Sequence, residues 1–423
     1  MAFLAQLAAQ LESGEWLSAR RLRLYVIILF ACELAVFAFI VAGTHGWIVP
    51  LDKPNTTDFV SFYAAGRLAD AGTPALAYDH AAHLAAEEAV VGQGIQYQYF
   101  NYPPVYAALF APIAHLPYLE AFIAFETATL LIFLAVARRI LDDFSSTALV
   151  ALLAFPITWW NFGLGQNAFL TAALFGAATL LLDRRPVLAG LCFGALCYKP
   201  HFALLVPVAL AAGRYWRAFA AAAVSAVVLV ALSVALLGWN TWQAFFVTAG
   251  ASHTMYESGR ILFGGFVSPF GAMRLMGAGI GTSYAVQGVF TLIAALVVAM
   301  VWRRGLSPAA RNAVLASATL LAVPLSLLYD MMIGAVAGCW LLRGARSETT
   351  HEAMPAWEKT ALALIYAAML DSRALAEALS IPVNTIAAVV LFALAARRAL
   401  RELGLTSLSR RPASLRSGAA PTR

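Results

Sequence analysis

The sequence RLYVIILFACELAVFAFIVAG, residues 23–43, is a run of apolar side chains long enough to cross a bilayer as one helix. Similar runs recur along the chain, and of its 423 residues 62% are hydrophobic and 12% are charged. That composition is too apolar for a water-soluble protein of this length. A membrane β-barrel would show short alternating segments instead of continuous runs. We therefore predict an all-α polytopic membrane protein.

The apolar runs predict about twelve transmembrane helices, some of them shorter than the usual 20 residues where a span is broken inside the protein. The stretch 187–212 can also be divided into two half-spans at Lys199-Pro200. The predicted spans are 23–43, 103–117, 118–138, 147–162, 167–182, 187–212, 217–238, 284–302, 309–328, 331–343, 355–371 and 381–396.

Arginines near the ends of spans indicate which side faces the cytoplasm. They gather just before the first span and in the tail after the last, which holds seven arginines and one glutamate. We therefore expect residues 1–22 and a disordered basic tail, 397–423, to be cytoplasmic, with an integral membrane domain at 23–396 between them. Two arginine pairs, at 138–139 and 184–185, fall on the outer side and fit this rule poorly.

Two polar breaks interrupt the apolar pattern and are predicted as outer loops, 44–101 and 239–283. Between residues 45 and 101 the first carries six carboxylates against two cations. Because a bilayer core excludes charged side chains, chemistry on water-soluble groups is expected here. We expect amphipathic helices in both loops.

The first loop contains the segment PNTTDFVSFYAAGR, residues 54–67, which has helical spacing of its aromatic side chains. Asp58 would stand in the first turn and act as a general base at the outer membrane surface, a role that suits a carboxylate. The alternative is that Asp58 only caps the helix. Tyr63 and Arg67 on this helix are candidate substrate-binding residues.

Other polar side chains stand at the ends or in the middle of apolar runs, where a polar group is costly unless it has a partner or a function. Loop ends, helix caps or a snorkelling lysine are the plain alternatives. The candidate substrate-binding residues are Asn101, Tyr102, Gln166, Asn167, His201, Tyr329 and Asp330. The candidate ligands for a phosphate group are Lys199, Arg260 and Arg274; the two arginines flank a glycine-rich stretch that suggests a flap.

Several classes of site are absent from the sequence. No phosphate-binding loop, dinucleotide fingerprint or zinc signature occurs, and the four cysteines lie inside apolar runs. We expect no cofactor, and nothing in the sequence demands a bound metal. The basic tail suits anionic membrane lipids better than nucleic acid.

Four segments together resemble glycosyltransferase family 87, whose members are polytopic enzymes of the GT-C superfamily. The resemblance covers roughly residues 50–330. The segments are DFVSFYAAGRLADAGTPALAYD at 58–79, NYPPVYAALFAPIAHLP at 101–117, GQNAFLTAALFGAATLLL at 165–182 and AGLCFGALCYKPH at 189–201.

The resemblance implies a GT-C-type fold and a hexosyltransferase. Such an enzyme takes its sugar, expected to be mannose, from a polyprenyl-phosphate donor. The acceptor would be a lipid or a glycan at the outer face of the plasma membrane, and Asp58 would be the catalytic base of an inverting transfer. Mycobacterial relatives carry a histidine partner for the catalytic aspartate near a late helix. The matching stretch here, PLSLLYD at 324–330, has none, so Tyr329 or Asp330 substitutes or the acceptor differs.

The rival class is a transporter or lipid flippase without catalysis. Such proteins carry internal repeats with polar residues near the middle of the membrane. The chain has no convincing repeat, and its carboxylates cluster in the predicted outer loops.

Overall fold

The computed structural model describes residues 2–43, 58–259, 261–347 and 354–404, and within them the regular elements are helices. The α-helices are α1 (Ala2–Ser13), α2 (Ala19–Gly43), α3 (Phe59–Asp70), α4 (His80–Val91), α5 (Pro104–Ile113), α6 (Tyr118–Leu141), α7 (Ser146–Leu153), α8 (Pro156–Leu164), α9 (Ala168–Leu181), α10 (Pro186–Ala195), α11 (Val206–Ala212), α12 (Trp216–Leu237), α13 (Trp239–Glu257), α14 (Pro269–Leu275), α15 (Ile280–Arg303), α16 (Pro308–Leu321), α17 (Met331–Ser347), α18 (Glu358–Ala368), α19 (Ser372–Leu379) and α20 (Val383–Glu402). Short 3-10 helices cover Pro74–Tyr78, Leu196–Tyr198, Pro200–Ala203, Phe263–Gly265 and Leu328–Asp330.

Five of the described helices are long and apolar enough to cross a membrane: α2, α6, α12, α15 and α20. The pair α7 and α8 makes a sixth candidate, bent by 51° at its break. Four more apolar helical stretches are only 10–17 residues long. The all-α prediction is confirmed for the described residues, and the count of about twelve spans stays a prediction.

Prolines decide where several of these helices begin and break. Pro104, Pro156 and Pro186 each stand at the start of a helix, where the missing N–H has no intrahelical partner to lose. Lys199, just before Pro200, leaves the helical conformation with φ −136° and ψ 62°. The stretch 187–212 is therefore two short segments that meet at Lys199, and the half-span alternative is the one that describes it.

Contacts between loops gather the arginine-rich helix ends at one end of the molecule. Arg343 donates to the carbonyl of Arg139 at 3.0 Å, and Arg346 pairs with Asp143 at 2.6 Å. Asp183 likewise pairs with Arg311 at 2.5 Å. The arginine pairs at 138–139 and 184–185 thus lie beside loops predicted to be cytoplasmic. The prediction that placed these pairs on the side opposite to those loops is wrong.

The reason for the error is α5, which does not take the chain across the molecule. It is ten residues long and packs against α3 so closely that a Cβ at Gly66 would come within 2.6 Å of the Phe110 carbonyl oxygen. The next helix, α6, begins beside the same cluster, where Phe122 packs edge-on against Phe59 at 5.2 Å. Helix α6 therefore starts near Asp58 and carries Arg138 and Arg139 to the opposite end.

This arrangement predicts the accessibility of two exposed positions, Ser258 and Phe144. In a background without the four native cysteines, Ser258→Cys should react with an impermeant thiol reagent in intact cells. Phe144→Cys, beside the arginine-rich ends, should react only after permeabilisation, because arginine-rich ends stay cytoplasmic. Reaction of both positions in intact cells would contradict the arrangement.

Candidate functional site

Asp58 lies directly before α3 and is not used as a helix cap. It occupies the N-cap position, yet its side chain makes no capping hydrogen bond. Its Oδ2 instead accepts a hydrogen bond from Gln166 Nε2 at 2.7 Å. The first turns of α3 are buried on all sides, from Phe59 to Gly66, and not spread over an interface as predicted for an amphipathic helix. The aspartate is therefore held on a rigid element by a partner far away in sequence.

Gly165 allows Gln166 to reach Asp58. It ends α8 in the left-handed conformation, with φ +64°, which costs glycine little. A Cβ there would also lie only 2.5 Å from Phe59 Cβ. The Gln166 amide then donates to Asp58 through Nε2 and accepts from the Tyr102 hydroxyl through Oε1 at 3.4 Å. Gln166, and neither Tyr329 nor Asp330, is the described side chain that hydrogen-bonds Asp58.

A buried ion pair lies next to this aspartate. Lys199 Nζ is 2.8 Å from Asp330 Oδ1 and 3.2 Å from Asn167 Oδ1. The second oxygen of Asp330 accepts from the backbone N–H of Leu327 at 2.9 Å. Lys199 and Asp330 are only 4% and 2% exposed, so the lysine does not snorkel to a surface. Each charge has a fixed partner, as buried charges require.

These groups open onto a cavity of about 770 Å³. Predicted site residues that line it are Asp58, Asn101, Tyr102, Gln166, Lys199, His201, Tyr329 and Asp330. Further lining comes from Gln96, Tyr97, Gln98 and Tyr99, which precede Asn101, and from Trp160 of α8. Aromatic faces with a few amide and charged groups are typical of pockets for small polar ligands.

Helix α4 holds two parts of the site in place: α3, which Asp58 precedes, and residues 96–99, which line the cavity. His83 Nε2 lies 3.1 Å from the carbonyl oxygen of Ser61 in α3. One turn later, Glu87 Oε2 accepts from the backbone N–H of Gln98 at 3.2 Å. Both side chains are fully buried. The segment 96–99 therefore has a fixed position relative to Asp58.

The other predicted site residues lie elsewhere or outside the described chain. Asn167 is buried behind Lys199, and the Tyr63 hydroxyl donates to the carbonyl of Leu116 at 2.8 Å. Arg67 is exposed on α3. Arg274 donates to the carbonyls of Ala278 and Glu257 at 2.7 and 3.1 Å. The structure does not bring Tyr63, Arg67 or Arg274 to the cavity, and Arg260 lies outside the described residues.

Arg373 of α19 is a cavity residue that the sequence reasoning missed. Nothing in its local sequence marks it, because it follows Asp371 in an ordinary polar break. A signal was nevertheless present: in the predicted topology, 372–380 is an outer loop, on the side of Asp58, and Arg373 is its one cation.

The surroundings of Asp58 favour a proton acceptor. Burial raises the pKa of the Asp58 carboxyl above its ordinary value, while the Gln166 hydrogen bond and the charges of Arg373 and Lys199 oppose that rise. A raised pKa makes the ionised carboxylate a stronger base at the moment of reaction. The site can therefore remove a proton from a hydroxyl group that docks against Asp58.

Comparison with known proteins gives one match. The family model described as glycosyltransferase family 87 matches residues 100–328. No curated protein and no solved structure matches the chain significantly.

The buried ion pair gives a prediction for stability. Lys199→Met leaves a buried carboxylate without its partner and should lower the free energy of unfolding by about 3–5 kcal/mol. The double variant Lys199→Met with Asp330→Asn removes both charges and should recover part of that loss. Thermal unfolding of the purified protein in detergent measures each variant. The coupling would be contradicted if the double variant lost as much free energy of unfolding as the single variants Lys199→Met and Asp330→Asn lose together.

Proposed function

Because the chain belongs to glycosyltransferase family 87, we propose that it is a hexosyltransferase that uses a polyprenyl-phosphate sugar, with mannose as the expected sugar. The acceptor is a hydroxyl group of a lipid or a glycan. The observation that carries the proposal is the position of Asp58, which lies half-buried in the wall of a cavity and is held by Gln166 at 2.7 Å. A transporter or flippase without catalysis is not favoured, since the family is one of glycosyltransferases.

In the proposed reaction Asp58 is the general base. It accepts the proton of the acceptor hydroxyl as that oxygen forms a bond to the anomeric carbon. The bond from the anomeric carbon to the phosphate oxygen breaks, and its electron pair leaves with the polyprenyl phosphate. A single displacement of this kind inverts the anomeric centre, as it does when a base activates water in inverting hydrolases. The donor is already activated, so the reaction needs no nucleotide.

The cavity lining supports a sugar as the transferred group. Gln98 and Asn101 offer amide groups that both donate and accept, which suits a ring of hydroxyl groups. Tyr97, Tyr99 and Trp160 add aromatic faces for the apolar side of a ring. Lys199, already neutralised by Asp330 at 2.8 Å, keeps the cavity in shape and is less suited to bind phosphate.

The location of the site follows from the arginine-rich helix ends. If those ends face the cytoplasm, the Asp58 cavity at the opposite end opens at the periplasmic or extracellular face of the plasma membrane. A polyprenyl chain would lie between helices while its phosphate and sugar enter the cavity from that face. A GT-C-type arrangement remains part of the proposal, but the predicted spans 103–117, which contains α5, and 187–212, which divides at Lys199, are not full crossings in this orientation.

The proposal predicts the effect of one isosteric substitution. Asp58→Asn keeps the size of the side chain and removes its basicity, so transfer should fall by about two to four orders of magnitude. The assay incubates the purified protein with labelled polyprenyl-phosphomannose and a membrane lipid extract, and follows the label into product.

Asp70→Asn is the matched control, because Asp70 ends the same helix and is exposed. Its transfer rate should equal that of the unmodified protein. Transfer by Asp58→Asn at the normal rate would remove Asp58 from the mechanism. No transfer by the unmodified protein from any polyprenyl-phosphate hexose would contradict the donor class.

A further inference from the structure

The two cations that line the cavity differ in their partners among the described residues. Lys199 is matched by Asp330 at 2.8 Å and by the Asn167 amide oxygen at 3.2 Å. Arg373 is the other cation of the lining. Within the described part of the chain, no hydrogen bond or ion pair engages its guanidinium group. Arg373 lies half-buried on the cavity wall, where its charge acts on Asp58 but its N–H groups are hydrogen-bonded to no anion among the described residues. Those N–H groups can therefore bind an anion that enters the cavity from outside the protein.

The helix that carries Arg373 is firmly held. Glu377, one turn further along α19, accepts from the backbone N–H of Gly264 at 2.5 Å. Asn384 of α20 donates to the carbonyl of Gly264 at 2.7 Å. The glycine is needed here, because a Cβ would lie 2.9 Å from the Arg373 carbonyl oxygen. The glycine-rich stretch around Gly264 therefore anchors α19 rather than forming an open flap.

Arg373 also acts on the catalytic side of the cavity. Its charge is one of those that lower the pKa of Asp58 against the effect of burial. Asp58 stands on α3 and Arg373 on α19, two elements far apart in sequence that share one cavity. An anionic group bound by Arg373 would therefore be held in the same cavity as the base.

We infer that Arg373 binds the phosphate of the polyprenyl-phosphate donor and stabilises the negative charge that this leaving group gains. The inference rests on the proposed function and adds a residue to it. Guanidinium groups bind phosphate oxygens by two parallel hydrogen bonds, which also fix the orientation of the donor. Preorganised donors aimed at a developing charge are a large source of rate acceleration. Arg373 takes no part in the covalent step, in which the proton goes to Asp58.

Binding of the polyprenyl phosphate by-product tests the inference without transfer. The full-length protein in lipid nanodiscs is titrated with a short-chain polyprenyl phosphate and with the matching neutral polyprenol. The unmodified protein should prefer the phosphate. Arg373→Ala should bind the phosphate about 10- to 100-fold more weakly, as expected for loss of charged hydrogen bonds. Polyprenol binding should not change.

Two further variants separate a specific effect from a general one. Arg373→Lys keeps the charge but loses the paired hydrogen bonds, so its phosphate affinity should be intermediate. Arg184→Ala removes an exposed arginine beyond the far end of α9 and should bind the phosphate normally. If Arg373→Ala unfolds, Arg373→Lys carries the test, because it is the more conservative change.

The pH profile of transfer would not change if Arg373 had only a structural role. Loss of the Arg373 charge removes a group that favours ionised Asp58, so the pKa of Asp58 rises. As the pH is lowered, the Arg373→Ala variant should therefore lose transfer activity at a higher pH than the unmodified protein does. Arg373→Lys should restore the original profile.

The outcomes distinguish the inference from the proposed function. Normal phosphate binding and an unshifted pH profile in a folded Arg373→Ala variant would overturn the role of Arg373 and leave the donor class intact. Failure of the unmodified protein to prefer the phosphate over the alcohol would instead contradict the polyprenyl-phosphate donor itself.

Discussion

The buried ion pair between Lys199 and Asp330 is the contact on which the rest of the site depends. Lys199 lies where the stretch 187–212 breaks, Asp330 lies just before α17, and Asn167 lies just before α9. Breaks in apolar helices leave backbone groups and polar side chains that a bilayer cannot accept. The ion pair, 2.8 Å long, joins three such breaks at one point. The polar interior is thereby gathered beside Asp58.

This arrangement gives the two acids and the two cations of the cavity different roles. Asp330 and Lys199 neutralise each other and fix the surrounding helices. Asp58 is instead paired with a neutral amide, that of Gln166, so its charge stays available to accept a proton. The Gln166 amide fixes the orientation of the Asp58 carboxylate. In the proposal, Arg373 binds the phosphate of the donor while Asp58 accepts the proton of the acceptor hydroxyl.

Much of the fold and part of the site could be predicted because burial in a membrane leaves a strong mark on sequence. Apolar runs marked the helices, and polar residues inside them marked Lys199 and Gln166, since such residues are costly without a function or a partner. Hydropathy could not distinguish a short helix that crosses from one that folds back. For that reason the sequence predicts α5 as a span and places the arginine pairs on the side opposite to the loops that they contact.

Tertiary contacts decided the remaining site residues. Arg274 looked like an anion ligand by charge alone, yet nearby carbonyls at helix ends bind both of its terminal nitrogens. Arg373 looked ordinary, because its partner across the cavity, Asp58, is separated from it by most of the chain. Charge and spacing identify a candidate arginine, but only the fold shows whether its guanidinium group is already bound.

The central claim is that one base, Asp58, drives a single displacement at the anomeric carbon. The most direct test is the anomeric configuration of the new glycosidic bond, measured by NMR on product made from a donor of known configuration. A configuration opposite to that of the donor is expected, because one displacement inverts the anomeric centre. Retention of configuration would require either two displacements through a covalent intermediate or attack from the face of the leaving group, and would contradict the role assigned to Asp58.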